Sequence, residues 1–128
     1  FGRGSAEFYN LKLGQRASDS GMFRALGRRE FSLYYQPQYR VDDGSLAGIE
    51  ALLRWQPPGG AMKTSAEFVP AAEESGLIVD LGGWVIEAAC AQLAAWREAG
   101  IEAPVMAVNL SVQQLRDPQF AASLRRQL

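Results

Sequence analysis

The chain has 128 residues, a formal net charge of −1 and a hydrophobic content of 48%, with a single cysteine. This is one domain's worth of chain or a piece of something larger, apolar enough for a core and therefore not a disordered segment, and its mixed charge excludes the basic surface that a nucleic-acid polymer requires. No apolar run is expected to reach the roughly 20 residues of a membrane span, no signal peptide stands at Phe1-Gly-Arg-Gly-Ser5, and the lone Cys90 rules out an internal disulfide and fits a reducing cytoplasm.

Residues 1–14 are short and mixed, with Glu7-Phe8-Tyr9 as a candidate strand. From about Ala17 to Arg29, Met22, Phe23 and Leu26 recur at helical spacing and the segment closes on Arg28-Arg29, the charge a helix C-terminus favours. Gly21 and Gly27 weaken that helix. Phe31–Tyr39 and Leu46–Trp55 read as strands, and the gap at Asp42-Asp43-Gly44 is too short for a crossover helix, so the two form an antiparallel hairpin. Gly44 suits a three-residue loop closed by a left-handed residue. That loop sets Val41 opposite Ser45 and Gln36 opposite Glu50. A two-residue Asp43-Gly44 turn would instead set Gln36 opposite Ala51, on the wrong face.

Gln56-Pro-Pro-Gly-Gly60 is a loop. Thr64-Ser-Ala-Glu67 forms a capping box, and the helix it opens carries Phe68, is bent or interrupted at Pro70 and ends near Gly76. A second helix runs from about Leu81 to Ala99 with Val85, Ala89, Leu93 and Trp96 as its apolar stripe, stopped by Gly100. Val105–Asn109 is a short buried strand, and Ser111 with Gln114 is a second capping box. Asn109 therefore sits where a strand ends and a helix begins. The remainder to Leu128 is helical, with Pro118 in a first turn. Helix, hairpin, two helices, strand and helix make an α/β layout.

With no histidine in the chain, Ser-His-Asp and Cys-His nucleophiles and imidazole zinc ligands are excluded, and chemistry must rest on carboxylates, amides, Lys, Arg or Tyr. Strand geometry places Glu50, Leu52 and Arg54 on one face and Ile49, Ala51, Leu53 and Trp55 on the other. Glu50 and Arg54 stand roughly 13 Å apart along the strand, too far for a tight ion pair without the Arg bending back. Such a pair suits a metal-bound phosphodiester, the carboxylate holding a cation and the guanidinium a phosphate. On the residues alone, the alternative is that Glu50 and Arg54 are solvated charges, Asn109 a turn former and Gln36 an edge-strand glutamine.

Tyr34-Tyr-Gln-Pro-Gln38, Glu50-Ala-Leu-Leu-Arg-Trp55, Glu67-Phe-Val-Pro70 and Ala72-Glu-Glu-Ser-Gly-Leu-Ile78 follow one another in order. Gly83-Trp-Val-Ile86, Cys90-Ala-Gln-Leu93, Val108-Asn-Leu-Ser111 and Arg116-Asp-Pro118 continue the series. From about Ala25 to Leu124 the chain thereby resembles the first half of an EAL domain, the bacterial module that hydrolyses cyclic di-GMP to linear pGpG. The resemblance implies an incomplete (β/α) TIM-like barrel beginning with an antiparallel hairpin. It implies Glu50 and Asn109 as ligands of Mg²⁺ or Mn²⁺, Gln36 and Arg54 as contacts to the nucleotide and its phosphate, and Leu52 as lining of the same pocket. Pro57 stands where the family often has His and Ser65 where it often has Pro, both away from that site.

Such a barrel takes roughly 250 residues. The family's further ligands, including a paired Asp-Asp, and its catalytic Lys and Glu match nothing in this sequence, so the expectation is a chain inactive by itself. Gly2-Arg3-Gly4 through Glu7-Phe-Tyr9 resembles the closing strand of a GGDEF domain, which implies residues 1–16 as a linker or tail of an upstream GGDEF-like domain and 17–128 as the N-terminal part of the EAL domain. The partners implied are cyclic di-GMP, an adjacent GGDEF or sensory domain and a homodimeric copy, in a cytoplasmic protein, with membrane tethering of the parent left open. Two rival functions stay open: a non-catalytic cyclic di-GMP-binding module, and a half-barrel that self-associates through strand edges.

Overall fold

The protein is described by a computed structural model covering residues 21–22, 24–102 and 105–127. The candidate strand Glu7–Tyr9, the GGDEF-like tail and the 16/17 boundary lie outside the described residues. Residues 21–22 and 24–27 are helical (α1). Met22 and Ala25 are fully buried on its inner face. The helix ends as Glu30 N–H donates to the Ala25 carbonyl at 3.1 Å, with Arg29 in the left-handed region at φ 58°.

The sheet is built around one long strand. β1 (Phe31–Tyr39) pairs antiparallel with β2 (Leu46–Trp55). The two-residue β3 (Lys63–Thr64) joins β2 at Arg54 and Trp55, also antiparallel. β4 (Met106–Val108) runs parallel to β2 along Ile49–Ala51. The parallel pairing starts where Ile49 N–H donates to the Val105 carbonyl at 2.8 Å. An added Cβ on Gly48 would meet that same carbonyl at 3.2 Å, so a side chain there would crowd the incoming strand.

The expected pairing of Gln36 with Glu50 is present. The expected pairing of Val41 with Ser45 is not. Arg40 faces Ser45 instead, its N–H donating to the Ser45 carbonyl at 2.7 Å, and Gly44 N–H returns to the Arg40 carbonyl at 3.0 Å. The loop is one residue longer than read from the sequence. Ala47 compensates, because the ladder steps from Gln38–Gly48 to Tyr39–Leu46 and leaves it as a bulge. Two one-residue differences cancel, and the faces come out as expected. Gly44 does adopt the left-handed conformation, at φ 72°.

The helices cover one face of the sheet. α2 (Ser65–Ser75) starts with its capping box, Glu67 accepting from the Thr64 N–H at 2.7 Å. Contrary to the expected break, it runs unbroken through Pro70 and ends at Gly76, φ 83°. Its inner residues, Phe68 and Ala72, are buried. α3 (Ile78–Glu98) begins three residues before the expected start, because Leu77 and Ile78 are themselves drawn into the core. By length and composition α3 could cross a membrane, which the sequence reading did not anticipate. Its Val85, Ile86 and Ala89 are buried within the protein, and its Trp96 meets the Tyr35 ring edge-on at 5.0 Å. α4 (Val112–Arg116) and α5 (Pro118–Gln127) split the expected single terminal helix at Asp117, whose extended backbone precedes Pro118.

The main core lies where α1, α2 and the start of α3 meet the Phe31–Trp55 end of the hairpin. Phe31 stacks on Trp55 at 5.6 Å, and Phe68 packs against both. The Trp55 indole donates to Glu30 Oε1 at 3.0 Å, which satisfies its one polar atom in an apolar setting. Phe31, Ile49, Ala51 and Trp55 are thus buried on one side of the hairpin, and the face bearing Gln36, Glu50, Leu52 and Arg54 remains.

Candidate functional site

The even-numbered face of β2 presents Glu50, Leu52 and Arg54, all half-buried. Across the ladder stand Gln36 opposite Glu50, Tyr34 opposite Leu52 and Ser32 opposite Arg54. β4 lies on the other side of β2, with Ala107 beside Glu50 and Val108 beside Ala51. That register delivers Asn109, the residue after β4, to the Glu50 carboxylate. Asn109 Nδ2 donates to Glu50 Oε2 at 3.0 Å, joining positions 59 apart in sequence. The structure therefore brings together Gln36 of β1, Glu50 of β2 and Asn109, just past the end of β4.

Arg54 stands apart from this group. Its guanidinium folds back over the Tyr34 ring, 5.8 Å from the centroid, and one Nη1–H donates to the Leu53 carbonyl at 3.1 Å. Among the described residues no ion pair joins it to Glu50. Its charge is held over an aromatic face, with most of its donors left for an anion.

Chemically, Glu50 and Asn109 offer a carboxylate and an amide oxygen, the hard donors that Mg²⁺ or Mn²⁺ takes. The donor set fits such a cation, in part. Among the described residues no cluster of three or more Asp, Glu, Cys or His surrounds them, and a hydrolytic metal site needs several ligands and a placed water. The present hydrogen bond aims the amide N–H at the carboxylate. Sharing a cation requires the amide to turn so that its oxygen faces inward.

Several contacts were not legible in the sequence. The Ser111 hydroxyl donates to Glu73 Oε2 at 2.7 Å, tying α4 to α2. Gln114 is almost wholly buried against Gly82 of α3. Lys63 stands over the Trp55 ring at 5.0 Å. The only advance signal for the first was Glu73 beside a Ser-Gly helix end, a pattern with no chemistry of its own.

Strand order and the helix-covered sheet define an α/β domain, with the Glu50–Asn109 pair on its open face as the candidate site. The chain belongs to the EAL domain family, whose sequence model matches residues 21–128. It is 41% identical over 105 residues to MucR of Pseudomonas aeruginosa, a bifunctional diguanylate cyclase and cyclic di-GMP phosphodiesterase, covering 82% of this chain and 15% of MucR. It is 37% identical over 132 residues to the cyclic di-GMP phosphodiesterase PdeR of Escherichia coli, covering 99% of this chain and 20% of PdeR. The MucR phosphodiesterase solved in complex with cyclic di-GMP superposes with a TM-score of 0.79 at 40% identity, over 85% of this chain and 44% of that one. The chain thus spans a fifth or less of these curated relatives and under half of the solved domain.

Proposed function

We propose that this chain forms the entry side of a cyclic di-GMP phosphodiesterase site: Glu50 and Asn109 hold a divalent cation, Mg²⁺ or Mn²⁺, while Gln36, Leu52 and Arg54 receive the nucleotide. The observation that carries the reading is the 3.0 Å contact between Asn109 and Glu50, made by residues of two separate motifs. Glu50 supplies the negative charge that draws the cation. Asn109 adds a second ligand without adding a second charge. A bound cation would lend positive charge to the phosphodiester and lower the pKa of an attacking water. Gln36, directly opposite Glu50, orients the nucleotide by its amide, and Leu52 gives the base or ribose an apolar wall. Arg54 pairs with phosphate oxygens on leaving the Tyr34 ring.

With two ligands from this chain, hydrolysis requires others, so the parent protein joins this segment to the rest of the barrel. In that parent we place an adjacent GGDEF or sensory domain and a cytoplasmic site. The test is a chimera in which residues 21–128 replace the matching part of the MucR phosphodiesterase domain, assayed by chromatography for pGpG. We expect product, and a loss of at least about 100-fold in Glu50→Gln. A folded chimera that binds cyclic di-GMP without cutting it would make this a binding module. Hydrolysis indifferent to Glu50→Gln would overturn the metal role.

A further inference from the structure

Among the described residues β4 pairs with β2 alone, so it holds Asn109 from one side. The strand is three residues long and its last pair joins Val108 to Ala51, so the direction in which Asn109 leaves the sheet depends on what anchors the chain beyond it. That anchor is Ser111. Its hydroxyl donates to Glu73 Oε2 at 2.7 Å, its oxygen accepts from the Gln113 N–H at 3.2 Å, and its own N–H donates to Gln114 Oε1 at 2.9 Å. Gln114 in turn is 2% exposed and lies on Gly82, where an added Cβ would fall 1.6 Å from its Nε2. That Nε2 has no hydrogen-bond partner among the described residues. An unpaired buried amide is costly, and the side chain is kept in place by its other end, at Ser111.

We propose that Glu73 and Gln114, with Gly82 making room, form a clamp on Ser111 that positions Asn109 against Glu50. Among the described residues Glu73 and Gln114 make no hydrogen bond to Glu50 or Asn109, and they are positioning residues. The clamp grips the chain two residues past Asn109 through Glu73 of α2 and Gln114 of α4, the latter seated on Gly82 of α3. Its bearing on catalysis rests on the phosphodiesterase reading. The geometry of Asn109 does not, and the experiment reads that geometry.

The measurement is the side-chain amide pair of Asn109 in ¹H–¹⁵N spectra of the 128-residue chain, assigned by its disappearance in Asn109→Asp. One proton bound to Glu50 keeps the two amide protons widely split, and Glu50→Ala gives the reference for the released amide. In Glu73→Ala and in Ser111→Ala the splitting is expected to collapse toward that reference, while the Trp55 indole signal, held by Glu30, stays in place. Glu73→Gln keeps an acceptor for the Ser111 hydroxyl and restores the splitting. Gly82→Ala, which presses on Gln114 from the opposite side, also shifts the pair. An Asn109 signal unchanged in the alanine variants, or not restored in Glu73→Gln, overturns the proposal. So does loss of the Trp55 signal in both alanine variants, which would make the clamp a fold contact only.

Discussion

Asn109 faces Glu50 with its amide N–H, at 3.0 Å, the reverse of the orientation in which both residues share a cation. The hydrogen bond gives Glu50 Oε2 one neutral donor and keeps the two side chains within reach of each other. Cation binding on this account is an exchange: the N–H leaves the carboxylate, a metal takes its place, and the turned amide oxygen binds that metal.

Asn109→Asp tests that exchange. Two carboxylates at this spacing repel by about 1 kcal/mol in a solvated setting. The variant is expected to melt below the parent in a chelator and to regain the difference in millimolar Mn²⁺, where the native chain gains less. Thermal unfolding with and without Mn²⁺ reads both.

The aromatic cluster gives a stability test independent of the site. Phe68 is 2% exposed and contacts both Phe31 and Trp55. Phe68→Ala is expected to cost about 3–5 kcal/mol, a large part of a domain's total stability. Urea unfolding followed by tryptophan fluorescence would show the midpoint fall or a loss of cooperativity.

Gly44 closes the hairpin loop at φ 72° with open space around it. Gly44→Ala meets no clash but strains the backbone, and about 1 kcal/mol of destabilisation is expected. Gly27→Ala also meets nothing within 4 Å and has no positive φ. It is expected to be neutral or stabilising in the same urea series.

Burial raises the Tyr35 hydroxyl above the ordinary 10.0. The folded chain therefore holds this proton more tightly than the unfolded chain. The resulting stability is complete below about pH 10 and is lost as pH rises through the higher folded value. Tyr35→Phe keeps the ring against Trp96 and removes the titration, so its stability should fall less steeply above pH 10 than that of the native chain. Urea midpoints from pH 9 to about 11 measure the slopes.

The faces of the hairpin were legible because period-2 alternation leaves one choice once a core side is picked. The turn beside it was not, since Arg40–Ser45 closure and the Ala47 bulge differ from a plain three-residue loop by compensating single residues. Capping boxes at Thr64 and Ser111 could be read because their chemistry is local. Glu50 and Asn109 were readable as types of ligand, and their meeting depends on β4 choosing β2 as its parallel partner, which no local pattern encodes. The Glu73–Ser111 bond and the burial of Gln114 arise from helix packing and leave no periodic trace. Pro70 does not interrupt α2: it removes one donor, and the rest of the helix continues through it.

The most direct test of the central claim is Mn²⁺-induced broadening in the ¹H–¹⁵N spectrum of this chain. Glu50 and Asn109 as a cation pair predict selective broadening at the Asn109 side-chain amide and at the backbone of Glu50 and Ala107, abolished by Glu50→Gln. Broadening centred on the exposed Asp42 and Asp43 of the hairpin loop, with Glu50 and Asn109 unaffected, would contradict it.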